Sequence, residues 1–117
     1  MKFVLLIYQG TTPLPGSEKW KALPEAEQKA IYADYAEIGK TAGMTPGLPL
    51  GLPGAARTVQ VRDGKPQVKN GTHLAEGVGG YSVFEAESME AAIALAARVP
   101  AARLGGAVEV RPAEQYW

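Results

Sequence analysis

The sequence predicts an α+β fold, an antiparallel sheet with two helices packed on one of its faces. Three observations carry this. Short runs rich in β-branched and aromatic residues recur at 2–8, 57–70, 79–87 and 107–112. Two stretches of helical apolar spacing, 24–42 and 89–99, lie between them. The chain of 117 residues is long enough for one compact domain with one core, and too short for two.

The first run, "KFVLLIY", shows no alternation and reads as a strand covered on both faces. A loop rich in turn formers follows and carries Trp20. Pro24 stands where a first helical position belongs, with Glu25 and Glu27 at the positive end of the helix dipole. From there to Ala42, Ile31, Tyr35, Ile38 and Ala42 share one stripe, with Tyr32, Ala36 and Gly39 beside it, and Gly43 is a stop signal. Residues 43–56, dense in glycine and proline, read as a shaped loop.

Next, "RTVQVRDGKPQVKNG" places Asp63-Gly64 between two short alternating runs, a strong hairpin signal. Val59 and Val61 point one way and Thr58, Gln60 and Arg62 the other. "GGYSVFEAE" is a further strand. Ser88 is suited to cap an alanine-rich helix that ends before Pro100. "AVEVRP" alternates Val108 and Val110 against Glu109 and Arg111 as a last strand. The order is β-α-β-β-(β)-α-β, a ferredoxin-like split βαβ sandwich without internal repeats.

These pieces, in this order, resemble the YCII-related (DGPF-domain) family. They are "MKFVLLIY", the "TAGM" helix end, Leu52-Pro53, "TVQVRDGKPQV", "GGYSVFEAESMEAAIALAARVP" and "AVEVRP", and they span nearly the whole chain as a single domain, 1–117. The resemblance implies the dimeric α/β barrel variant of the ferredoxin-like sandwich, akin to cofactor-free isomerases and monooxygenases. Its genes often lie near alternative sigma factors. The signature segment departs from the family pattern. Asn70 stands for the aspartate, Thr72 for the proline and His73 for the phenylalanine, and about two residues are missing before Gly79-Gly80-Tyr81.

His73 is the one histidine, expected on a loop of about eight residues between strands. It reads either as a loop residue facing solvent or a partner, or as a general acid or base oriented by Glu76. Glu109 and Arg111 face away from the helices. They read as a cross-strand ion-pair ladder or as the lining of a ligand pocket, with Thr58, Gln60 and Arg62, and either Tyr81 or Ser82, on the same surface. Tyr35 belongs to the core stripe, and Tyr32 either packs or reaches a cavity edge. Trp20, Tyr116 and Trp117 are conspicuous aromatics in poorly structured segments, of a kind that marks a partner surface, and Tyr116 and Trp117 are expected to pack on a second subunit or fold back across the first.

Composition excludes other classes. Basic and acidic residues balance at 12 each, so no phosphate-neutralising patch for nucleic acid is present. There is no cysteine, and one histidine without an acidic loop leaves no metal site. "GVGGY" lacks phosphate-binding spacing, and no other cofactor is indicated. The apolar N-terminal run is too short for a signal peptide or a membrane span, and Asn70-Gly71-Thr72 carries no weight as a glycosylation site. A cytoplasmic protein is expected, in a homodimer that covers the bare sheet face.

Two functions are open. One is a small-molecule-binding protein or cofactor-free enzyme doing proton transfer in a pocket by the sheet. His73 would then be acid or base, and Arg62 or Arg111 would hold a small anionic or carbonyl ligand. The other is a non-catalytic dimeric interaction or regulatory module, tied by the resemblance to sigma-factor signalling.

Overall fold

The computed structural model describes residues 1–75 and 77–115, so the expectations for Glu76, Tyr116 and Trp117 lie outside the described residues. The chain runs β1 (Lys2–Tyr8), a one-turn helix α1 (Glu18–Lys21), α2 (Glu25–Gly39), β2 (Met44–Pro46) and a 3-10 turn (Pro53–Ala55). It continues through β3 (Arg57–Arg62), β4 (Lys65–Asn70), β5 (Val78–Glu85), α3 (Met89–Ala96), a one-turn α4 (Pro100–Arg103) and β6 (Ala107–Pro112).

Four strands form an antiparallel sheet in the order β2-β5-β1-β6, which is the ferredoxin-like arrangement. On central strand β1, Phe3, Leu5 and Ile7 are buried and alternate with half-buried Val4, Leu6 and Tyr8. The buried side meets Phe84 of β5, Ile38 of α2, Ala92, Leu95 and Ala96 of α3, and Val99. Each fully buried Phe or Leu contributes about 1.5–3 kcal/mol. The expectation of a strand covered on both faces holds on one face only within a single chain.

Helix ends follow from capping. Ser88 Oγ accepts the Ala91 N–H at 3.2 Å, and Ser17 does the same for Trp20 at 3.2 Å. Gln28 Nε2 donates to the Trp20 and Leu23 carbonyls at 2.9 and 3.2 Å, tying α1 to α2. Pro24 is the N-cap of α2, not its first helical residue, and the helix stops at Gly39, three residues short of Ala42. Lys40 N–H closes the last turn on Ala36 and Glu37 carbonyls, and Gly43 takes the left-handed φ of 86° where the chain turns into β2.

Three sequence expectations are corrected. The 43–56 stretch hides edge strand β2, whose Met44, Thr45 and Pro46 pair with Phe84, Val83 and Ser82. Proline is tolerated there because an edge strand has a side without ladder bonds. The β3–β4 hairpin, which carries the strongest strand signal, is a separate two-stranded sheet outside the main one. Its Asp63-Gly64 turn has φ of 51° and 74°, the two positive values that such a tight hairpin turn demands. Trp20 is buried in the described chain and sits edge-on to Tyr32 at 5.2 Å, so it is not an exposed partner anchor.

Phe3→Ala is expected to lower stability by about 3–5 kcal/mol, since Phe3 is fully buried among packed neighbours. Ile93→Ala, on the exposed side of α3, should stay within about 0.5 kcal/mol. Urea unfolding of the two variants beside the parent checks both.

Candidate functional site

Helices α3 and α4 close over the β1–β6 half of the sheet, while α2 reaches the core through Ile38 alone. That difference leaves a cleft of about 640 Å³ between α2 and the β5 side of the sheet. Its floor is Ile7, Gly80 and Ser82, its helix wall Ile31, Tyr35 and Ile38, and one end is closed by Trp20 with Pro13 and Pro15. A second hollow of about 680 Å³ adjoins it and reaches Thr72, Ala75 and Gly77. Gln9, Leu14, Leu50, Gly51, Leu52 and Gly79 line both, so the two form one trough.

The outer wall is the segment after β2. Gly47 N–H donates to the Tyr81 carbonyl at 3.0 Å and Leu50 N–H to the Gly79 carbonyl at 3.2 Å, which draws this loop along the β5 edge. Gly47 is required by that approach, because a Cβ there would run into the Tyr81 carbonyl and ring. The whole segment from Pro46 to Leu52 lines the trough, with Leu48, Leu50 and Leu52 as its large apolar side chains.

Few polar groups face this apolar space. Gln9 is half-buried, its side chain laid across Gly79, where a Cβ would collide with it. Thr12 Oγ1 is buried without a hydrogen-bond partner among the described residues. Ser82 is a buried polar residue on the floor. Tyr32 and Tyr81 contribute at the edge. Burial raises the Tyr35 phenol above its usual value near 10, against smaller opposing effects of the Ala101 backbone and the Arg103 charge. It is therefore a neutral hydroxyl donor at ordinary pH. Arg103 itself pairs with Asp34 at 2.5 Å, joining α4 to α2 beside this wall. No Asp, Glu, Lys, Arg or His among the described residues lines either part of the trough.

The residues expected from sequence are therefore spread apart. Tyr32 and Tyr81 line the trough, and Tyr32 also packs edge-on against Trp20. His73 is exposed on the loop whose Thr72 and Ala75 line the outer hollow. Its carbonyl accepts from Lys69 Nζ at 3.4 Å, and its ring has no hydrogen-bond partner among the described residues. Glu109 and Arg111 lie exposed on the open sheet face, opposite Leu6 and Val4 of β1, and no ion pair joins them. Arg62 is exposed at the hairpin turn, opposite Lys65. Gln9, Thr12 and the three leucines escaped the sequence reading. Their signal was the alternation of leucine with glycine and proline in "LPLGL".

Compared with known protein families, residues 1–115 match the YCII-related domain. The chain belongs to the YCII-related family. A search among curated proteins finds none that matches this YCII-related chain. Among the described residues, no group of three or more His, Cys, Asp or Glu side chains is placed to hold a metal ion. No helix among them is long and apolar enough to cross a membrane.

Two outcomes follow from this geometry. A spectrophotometric titration should show a tyrosine ionising above pH 10 that is absent from Tyr35→Phe. The folded-state value is raised, so stability is intact below pH 10 and falls as pH rises through the shifted value. Gly47→Ala should cost roughly 1–3 kcal/mol in thermal unfolding, as overpacking at a backbone contact does.

Proposed function

We propose that this YCII-related protein binds an uncharged, largely apolar small molecule in the trough between α2 and the β5 side of the sheet. The observation that carries the reading is the make-up of the walls, which are apolar except for hydroxyls and one carboxamide. A charged ligand buried there would lose its hydration without gaining a counter-charge, at a cost of several kcal/mol. A neutral ligand loses little, and Tyr35, Ser82 and Gln9 offer it hydrogen bonds. The anionic ligand expected from sequence is replaced in this proposal, because Arg62 and Arg111 line neither hollow. A carbonyl ligand remains compatible with it.

Proton-transfer chemistry would rest on His73, carried by the loop that lines the outer hollow, but binding does not require that residue. The expected homodimer belongs to the same proposal, since no element among the described residues covers the sheet face bearing Val4, Leu6, Tyr81 and Val83.

Two dyes of one skeleton test the binding reading. N-phenyl-1-naphthylamine is neutral, and 8-anilinonaphthalene-1-sulfonate adds a sulfonate. In fluorescence titrations the neutral dye should bind at least ten-fold more tightly. In Gly80→Val the Cβ would meet Ile7 Cδ1 at 3.8 Å, an ordinary contact, and its two methyls would extend into the floor, so it should weaken the neutral dye ten-fold or more. His73→Ala should change that affinity less than two-fold. Preference for the sulfonate, or indifference to Gly80→Val, would sink the proposal.

A further inference from the structure

We propose that the β3–β4 hairpin is an arm that docks on the body of a second copy of this chain. The hairpin pairs with no other strand among the described residues. A two-stranded sheet alone in water is marginal and gains stability from a third strand or from a packed face. One face of this hairpin is a stripe made for packing. Val59 lies opposite Val68 and Val61 opposite Pro66, and the three valines are 59%, 63% and 67% exposed for Val59, Val68 and Val61. Its own body therefore leaves the stripe bare. The six paired positions run without a register shift, so the arm is a continuous two-stranded ribbon. A Cα radius of gyration of 16.1 Å, against about 13 Å for a compact chain of this length, shows the same projection.

Charge selects the occupant. The hairpin carries Arg57, Arg62, Lys65 and Lys69 against Asp63 alone, a surplus of three positive charges. The whole chain has zero net charge, so the rest carries a surplus of three negative ones. A cationic arm and an anionic body attract each other between copies, with Arg62, Lys65 and Lys69 acting at longer range from the face of the ribbon opposite the valines. Nucleic acid or an anionic membrane would answer the same charge. The bare stripe, however, is aliphatic, without the aromatic residues that stack on bases or seat at a lipid interface. In a two-fold dimer each contact is made twice, so two exchanged arms go far toward the 1,200–2,000 Å² or so that stable interfaces bury.

The absence of cysteine makes the test clean. Val61→Cys, labelled with a maleimide-benzophenone, places one photocrosslinker on the arm. Mixed with unlabelled, isotope-tagged chain and irradiated, it should give cross-linked dimers whose attachment sites map to the body of the tagged copy. Sedimentation equilibrium at micromolar concentration should show a dimer. Val59→Asp with Val61→Asp should raise its dissociation constant ten-fold or more. So should the charge reversal Arg62→Glu with Lys69→Glu, which alters exposed side chains only, and far-UV circular dichroism should be unchanged in both. A monomer, cross-links confined to one chain, or a dimer that both variants shift less than two-fold would each overturn the proposal. The last result would assign association to the open sheet face instead. Adducts with added DNA or with phosphatidylglycerol vesicles in place of a second copy would overturn it as well.

Discussion

Phe3, Leu5 and Ile7 project from one side of β1, and β1 is hydrogen-bonded on both edges, to β5 and to β6. Their burial against α3 and Phe84 fixes the register of three strands together. A slip of one residue would send all three side chains to the other face and bring Val4, Leu6 and Tyr8 inward. With that register set, the remaining choices narrow. Val108 and Val110 of β6 must face the same core, so Glu109 and Arg111 must face away from it. Both helices must lie on one side, and the opposite side is left with a half-exposed apolar row.

The trough is a consequence of unequal helix packing. Helix α3 is apolar over most of its length and lies close to β1 and β6, burying Ala92, Leu95 and Ala96. Helix α2 carries five charged residues among its fifteen and buries only Ile38, so it stands off from β5. The gap would collapse or flood if nothing bounded it. Here the segment after β2 bounds it, because glycine at position 47 lets backbone approach backbone and proline on either side keeps the chain extended. Leu48, Leu50 and Leu52 then supply an apolar wall at the entrance.

Fold class and element order were legible in the sequence because they depend on local periodicity and capping. Ser88, the Asp63-Gly64 turn and the alternation in β6 act within a few residues of themselves. The errors arose where long-range pairing decides. Three residues, Met44–Pro46, are too few for a periodic signal, and their strand state comes from β5 beside them. The hairpin reads as strand in any context, so its sequence does not reveal that it stands apart. The candidate site was less legible still. Chemistry-bearing residues drew attention to His73, Arg62, Glu109 and Arg111, yet a cleft of this kind is written in the absence of charge.

The arm and the trough share a root. Gly71 N–H donates to the Ala56 carbonyl at 2.8 Å, and Thr58 Oγ1 donates to the Gly71 carbonyl at 2.8 Å, so the base of the hairpin is clamped. Immediately outside that clamp the chain becomes trough wall, Leu52, Pro53, Ala55 and Ala56 on one strand's approach and Thr72, Ala75 and Gly77 on the other's departure. An arm free in solvent ties these two walls only to each other. An arm seated on a second copy ties them to a fixed body as well, and the width of the outer hollow then depends on association. Linkage makes the dependence reciprocal: a ligand that fits the seated width better than the free one tightens the dimer by the same factor by which the dimer tightens the ligand. Under these two proposals the charges that the trough excludes and the hairpin collects would be parts of one device, with electrostatic attraction acting on the arm and selectivity for an uncharged molecule set at its root.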